Sequence, residues 1–114
     1  MILINTTFSV DAGIAPAFID FLRDTYIPLG RQCGMYAPLV SELRGHAEAD
    51  INGNVPRTIA IQMRAPSAKH LGEFRNDVLP SVHRTIASRW GMGVAMFESV
   101  LDILHDPEKQ DSRK

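Results

Sequence analysis

The chain has one cysteine, Cys33, in 114 residues, so it can form no internal disulfide and no Cys-x-x-Cys metal or redox motif. It also lacks an excess of either charge. Twelve Lys and Arg stand against 13 Asp and Glu, spread along the sequence, which leaves no basic field to draw in a phosphate backbone. Long apolar runs are missing as well: MILINTTFSV opens the chain with no charged leader and too few apolar residues in a row for a signal peptide or a membrane anchor. Together these absences point to a cytoplasmic protein that binds neither nucleic acid nor membrane. What is present is an ordinary globular composition, 45% hydrophobic and 22% charged. That suits one core, hence a single domain over residues 1–105, with a polar tail over 106–114 expected to be disordered.

Residues 2–10, ILINTTFSV, alternate like a strand, with Ile2, Ile4, Phe8 and Val10 on one side and Leu3, Asn5, Thr7 and Ser9 on the other. Pro16 fits only the opening turn of a helix, whose apolar stripe is Ile14, Phe18, Phe21 and Leu22; that helix is expected to end or kink before Pro28. Gly34 closes the next short helical turn. A second strand is expected from about Met35 to Ala47, with Leu39 and Leu43 facing the core and Glu42, Arg44 and His46 facing away. Asn52-Gly53 is a two-residue hairpin signal, because both residues tolerate positive φ. RTIAIQMRA, residues 57–65, is the third strand, with Ile59, Ile61 and Met63 on one face. Ser67 caps a helix with Leu71, Phe74 and Val78 in its stripe; Pro80 opens a second segment with Val82, Ile86 and Trp90; Gly91 stops it. A last strand follows over about Val94 to Leu104.

The order β-α-β-β-α-β predicts an α+β ferredoxin-like sandwich, a four-stranded antiparallel sheet with helices on one face. Its other face is expected to collect Leu3, Asn5, Thr7, Glu42, Arg44, His46, Ala60, Gln62 and Arg64 and, depending on the register of the last strand, Met96, Glu98 and Val100. Such a mixed face suits a homodimer interface, with Leu3, Glu42, Arg44, Gln62, Arg64 and Glu98 as candidates, opposite charges pairing across a two-fold axis.

ILINTTF, FIDFLRDTYIPLGRQCGMY and LPSVHRTIASRWGMGVAMFESVLDIL together resemble the bacterial family called domain of unknown function 4286, over residues 1 to about 104. The resemblance implies a ferredoxin-like fold. It implies no activity and assigns no catalytic residue.

The segment GHAEADINGN offers two metal patterns. Asp50, Asn52 and Asn54 imitate the start of a calcium loop, but its sixth and twelfth positions, which need glycine and glutamate, hold Val55 and Ile61. His46, Glu48 and Asp50 share a strand face yet supply one nitrogen ligand where transition-metal sites usually use more. A solvated strand end accounts for them, and no metal or other cofactor is expected. Cys33 reads as a small apolar residue, His70, Glu73 and His83 as polar positions flanking the helix stripe, and Gly91-Met92-Gly93 as a turn. RNA-recognition modules share this strand order but stack bases on aromatics of the first and third strands, and those positions here carry none. The function expected is a small homodimeric module that binds a small molecule or a protein without catalysis. The second reading is a dimeric α/β barrel enzyme of the monooxygenase kind, with Asn5, Tyr26 and His83 converging in a pocket between sheet and helices.

Overall fold

The computed structural model describes residues 1–45, 49, 53 and 55–107. The elements run β1 (Ile2–Val10), α1 (Ala15–Phe21), a π-helical turn (Leu22–Tyr26), α2 (Ile27–Gln32), β2 (Tyr36–Glu42), β3 (Arg57–Ala65), α3 (Ala68–Glu73), a second π-helical turn (Phe74–Val78), α4 (Leu79–Trp90) and β4 (Val94–Asp102). The four strands form one antiparallel sheet in the order β2-β3-β1-β4. Both helical layers lie on one face, as expected of a ferredoxin-like α+β sandwich.

The core sits between that face and the helices. Ile4, Phe8 and Val10 of β1 and Ile59, Ile61 and Met63 of β3 meet Phe18, Leu22 and Tyr26 from the first helical layer and Phe74, Leu79, Val82 and Ile86 from the second, all nearly without exposure. Aromatic edges lock the layers: Phe18 stands edge-on to Phe8 at 4.7 Å and to Trp90 at 5.3 Å, and Tyr26 edge-on to Phe74 at 5.8 Å. Trp90 is half-buried, and the Arg89 guanidinium lies 4.5 Å from its ring centre.

Neither proline ends its helix. The chain stays helical through Ile27 and Leu79, whose N–H groups reach back five residues to the carbonyls of Leu22 and Phe74. Proline cannot donate and crowds the carbonyl four residues before it, so the wider turn just upstream gives the ring room. The two sites repeat one pattern, LRDTYIP and FRNDVLP, residues 22–28 and 74–80. Ser67 caps α3, its hydroxyl accepting from the His70 N–H at 3.2 Å. Gly91 ends α4 at φ 55°, a value costly for any residue with a Cβ.

The central strands face as the sequence predicts; the edge strands do not. In β2 the register passes from Tyr36 opposite Arg64 to Leu39 opposite Gln62, three residues against two, with Ala37 at φ 53°. This bulge reverses the parity of everything after it. Val40 turns inward opposite Ile61, whereas Leu39 and Leu43, expected in the core, lie on the open face with 54% and 62% exposure. In β4, Met96 pairs with Phe8, Glu98 with Thr6 and Val100 with Ile4, so all three share the helix face. Phe97 and Leu101 take the open face instead. After β4 the Ile103 N–H donates to the Met1 carbonyl, and Asp106 accepts from Arg64 at 2.7 Å, tying this segment back to β3. His46, Glu48, Asp50, Asn52 and Asn54, with the hairpin and metal readings that rest on them, lie outside the described residues.

Candidate functional site

The three pocket candidates do not converge. Asn5 is half-buried on the open face, its amide donating to the Thr7 hydroxyl at 3.3 Å. Tyr26 is on the other side of the sheet, 2% exposed, with its hydroxyl 3.5 Å from that of Thr6. Burial pushes its pKa up to about 12, the Thr6 hydrogen bond opposing the shift and the Glu98 charge adding to it. His83 is half-buried on α4, on the side toward Glu98 of β4.

The interface candidates also separate. Leu3, Gln62 and Arg64 are on the open face, where alternation put them. Glu42 lies opposite Ile59 on the helix side of the β2 edge and accepts a two-point contact from Arg57 at 2.7 and 2.8 Å, which holds its carboxyl below the usual range. Arg44 is exposed beyond the end of β2. Glu98 is on the helix side and accepts from Arg75. The charges expected to pair between copies, Glu42, Arg64 and Glu98, are thus paired within the chain.

Two features stand out among the described residues. One is the open face itself. Its middle, Asn5, Thr7, Gln62 and Arg64, is polar, and its margins are apolar: Leu39 and Leu43 at the β2 end, Phe97 and Leu101, 69% and 46% exposed, on β4. A shallow apolar groove of about 210 Å³ runs there beside Phe97, lined also by Thr7, Ser9, Thr58, Ala95 and Met96.

The other is a groove of about 290 Å³ between the second helical layer and β4, lined by Arg75, Asn76, Pro80, His83 and Glu98 over the buried Leu79. In an unbroken α-helix, residues eight apart such as Arg75 and His83 lie about 80° apart around the axis. The π-helical turn takes one more residue per hydrogen-bonded turn and removes most of that offset, so both side chains reach one groove. Arg75 uses Nε and Nη2, both on Glu98 Oε2 at 2.9 Å. Among the described residues its Nη1, Glu98 Oε1, the Asn76 amide and the His83 ring have no protein partner. Sequence reading found His83 but missed Arg75 and Asn76; the repeated Arg and Pro spacing of residues 22–28 and 74–80 was the signal for the wide turn.

Burial pushes the Cys33 thiol up, and Glu73 and Asp77 add to the shift, which disfavours the nucleophilic thiolate. His70 is held by Ser67, ring Nδ1 to hydroxyl at 2.7 Å, and packs on Gly34. It lies thirteen residues before His83, about 20 Å along a helix at the usual rise, so the structure does not bring them together. Among the described residues no group of three or more His, Cys, Asp and Glu side chains is placed to hold a metal ion. No helix there is long and apolar enough to cross a membrane.

Solved structures share this fold at low sequence identity. A protein of the ethyl tert-butyl ether (ethd) family from Bacillus halodurans is 15% identical, with 90% of this chain and all of that one covered at a TM-score of 0.57. A protein described as an antibiotic biosynthesis monooxygenase from Deinococcus radiodurans is 16% identical, with 93% and 95% covered at 0.58. A dimeric ferredoxin-like protein from an uncultured marine organism is 8% identical, with 93% and 97% covered at 0.62. Identities this low speak for the fold and carry no chemistry across. No curated protein matches the chain in sequence. One family model does match, over residues 1–104, and by that match the chain belongs to the family Domain of unknown function (DUF4286).

Proposed function

We propose that the chain acts as a cytoplasmic homodimeric binding module in which two sheets pack open face to open face. The observation that carries this reading is the exposed apolar margin of that face, Leu39, Leu43, Phe97 and Leu101. Isolated surface leucines are ordinary, but rows of them on the two borders of one sheet leave apolar area in water that a second copy would remove. The polar middle then faces its own copy across the axis, a wet centre within a sealed margin. A fold neighbour described as dimeric agrees with the reading.

Binding rather than turnover fits the packing. An enzyme pocket between sheet and helices needs space where Phe8, Phe18, Phe74 and Tyr26 are buried to 2% exposure or less. Light scattering at micromolar concentration tests the proposal. It should return twice the chain mass, and a single-chain mass would refute it.

A further inference from the structure

The groove between the second helical layer and β4 lies on the opposite side of the sheet from the proposed interface and has its own chemistry. Arg75 and Glu98 cancel in charge, but their contact is lopsided: the Nε hydrogen bond and the Nη2 ion-pair contact both fall on Oε2, which leaves Oε1 as an acceptor and Nη1 as a donor. Asn76 and His83 add polar atoms without protein partners on the helical wall. A lone carboxylate in this groove meets the charge of Glu98, and a lone ammonium meets that of Arg75. A molecule carrying both is matched at each end. Leu79 and Pro80 give the lining its apolar part, and beyond it Met96 and Val100, two residues either side of Glu98 on the same face of β4, are 39% and 43% exposed. The volume, about 290 Å³, is at the small end of ligand pockets, which run from roughly 300 Å³ upwards.

We propose that this groove binds a free α-amino acid with an apolar side chain. Its carboxylate is taken by Arg75 Nη1, Asn76 and His83, its ammonium by Glu98 Oε1, and its side chain lies toward Met96 and Val100. Arg75 and Glu98 therefore orient each other in the empty groove and both recognise ligand in the filled one.

The probes are L-leucine, 4-methylpentanoate, which lacks only the amine, and isoamylamine, which lacks only the carboxylate. Each is titrated into the full chain while backbone amide resonances are followed by NMR. Leucine should give saturable shifts centred on residues 75–83 and 96–100, with a dissociation constant of millimolar order, and each half-ligand should bind at least about tenfold more weakly. Glu98→Gln keeps a hydrogen-bonding partner for Arg75 but removes the charge that holds the ammonium, so it should erase the preference for leucine over 4-methylpentanoate. His83→Ala, at a half-buried position without a protein partner among the described residues, should weaken leucine and leave the melting temperature unchanged. No saturable shift with leucine up to about 50 mM would overturn the proposal. So would equal binding of leucine and its half-ligands, or unchanged leucine affinity in both variants. The dimer can fail without touching this result, because the groove is complete within one chain.

Discussion

The two faces of the sheet come from the same four strands, yet they are organised in opposite ways. On the helix face the middle is dry, with Ile4, Phe8, Ile59, Ile61 and Met63 at 1% exposure, and the margins carry charge, Glu42 on β2 and Glu98 on β4. On the open face the middle is polar and the margins are apolar. The helix face is largely satisfied within one chain, its apolar centre covered by helices and its rim charges paired with Arg57 and Arg75, with Met96 and Val100 of β4 left part-exposed. The open face has the inverse pattern, and its greasy borders are what a second sheet would seal. One face makes the fold, and the other is left for assembly.

The largest expected effect breaks the dry face. Phe18→Ala removes a ring at 0% exposure that touches Phe8, Phe21 and Trp90, and should cost about 3–5 kcal/mol in chemical unfolding. Trp90→Ala should cost less than that range, because the ring is half-buried, and the tryptophan emission should be open to partial quenching by acrylamide. A loss as large as that of Phe18→Ala would move Trp90 into the closed core.

Alkaline titration sharpens the comparison further. The Tyr26 hydroxyl has its pKa raised from the usual 10.0 to about 12 because burial penalises the phenolate. The folded state holds that proton more tightly than the unfolded one, so its contribution to stability is full below pH 10 and disappears as the pH rises through about 12. Wild-type protein should lose stability across that window, and Tyr26→Phe should flatten the loss. An equal slope in both proteins would place the sensitivity elsewhere. The smallest effect belongs to the rim: Glu42→Gln, at an exposed ion pair, should leave the thermal midpoint within error in moderate salt.

How legible the molecule was in its sequence follows the same division. β1 and β3 each have neighbours on both sides and a helical layer above, so burial alternates strictly and the hydrophobic pattern fixes which way each residue points. β2 and β4 are edges. Leu39, Val40 and Leu43 in one and Met96, Phe97, Val100 and Leu101 in the other put apolar residues on both faces, and no periodicity in the sequence distinguishes the sides. A one-residue bulge at Ala37 decides one strand and the pairing with β1 decides the other. The prolines were legible in part: Pro80 opens a second segment as expected, since α4 starts at Leu79, but the π-helical turns that carry the helix past Pro28 and Pro80 depend on the whole layer holding it together. Of the groove, His83 was visible, whereas Arg75, Asn76 and Glu98 needed the turn and the register.

Neighbouring residues of β4 provide the most direct test of the open face, because Met96 and Phe97 stand on opposite sides of the sheet, 39% and 69% exposed. Sedimentation equilibrium of wild type, Met96→Asp and Phe97→Asp places the same charge two ways on one strand. The account predicts two chains for wild type and for Met96→Asp and one chain for Phe97→Asp, with secondary structure intact in all three. A single-chain wild type, or a Phe97→Asp variant that still associates as wild type does, would contradict it.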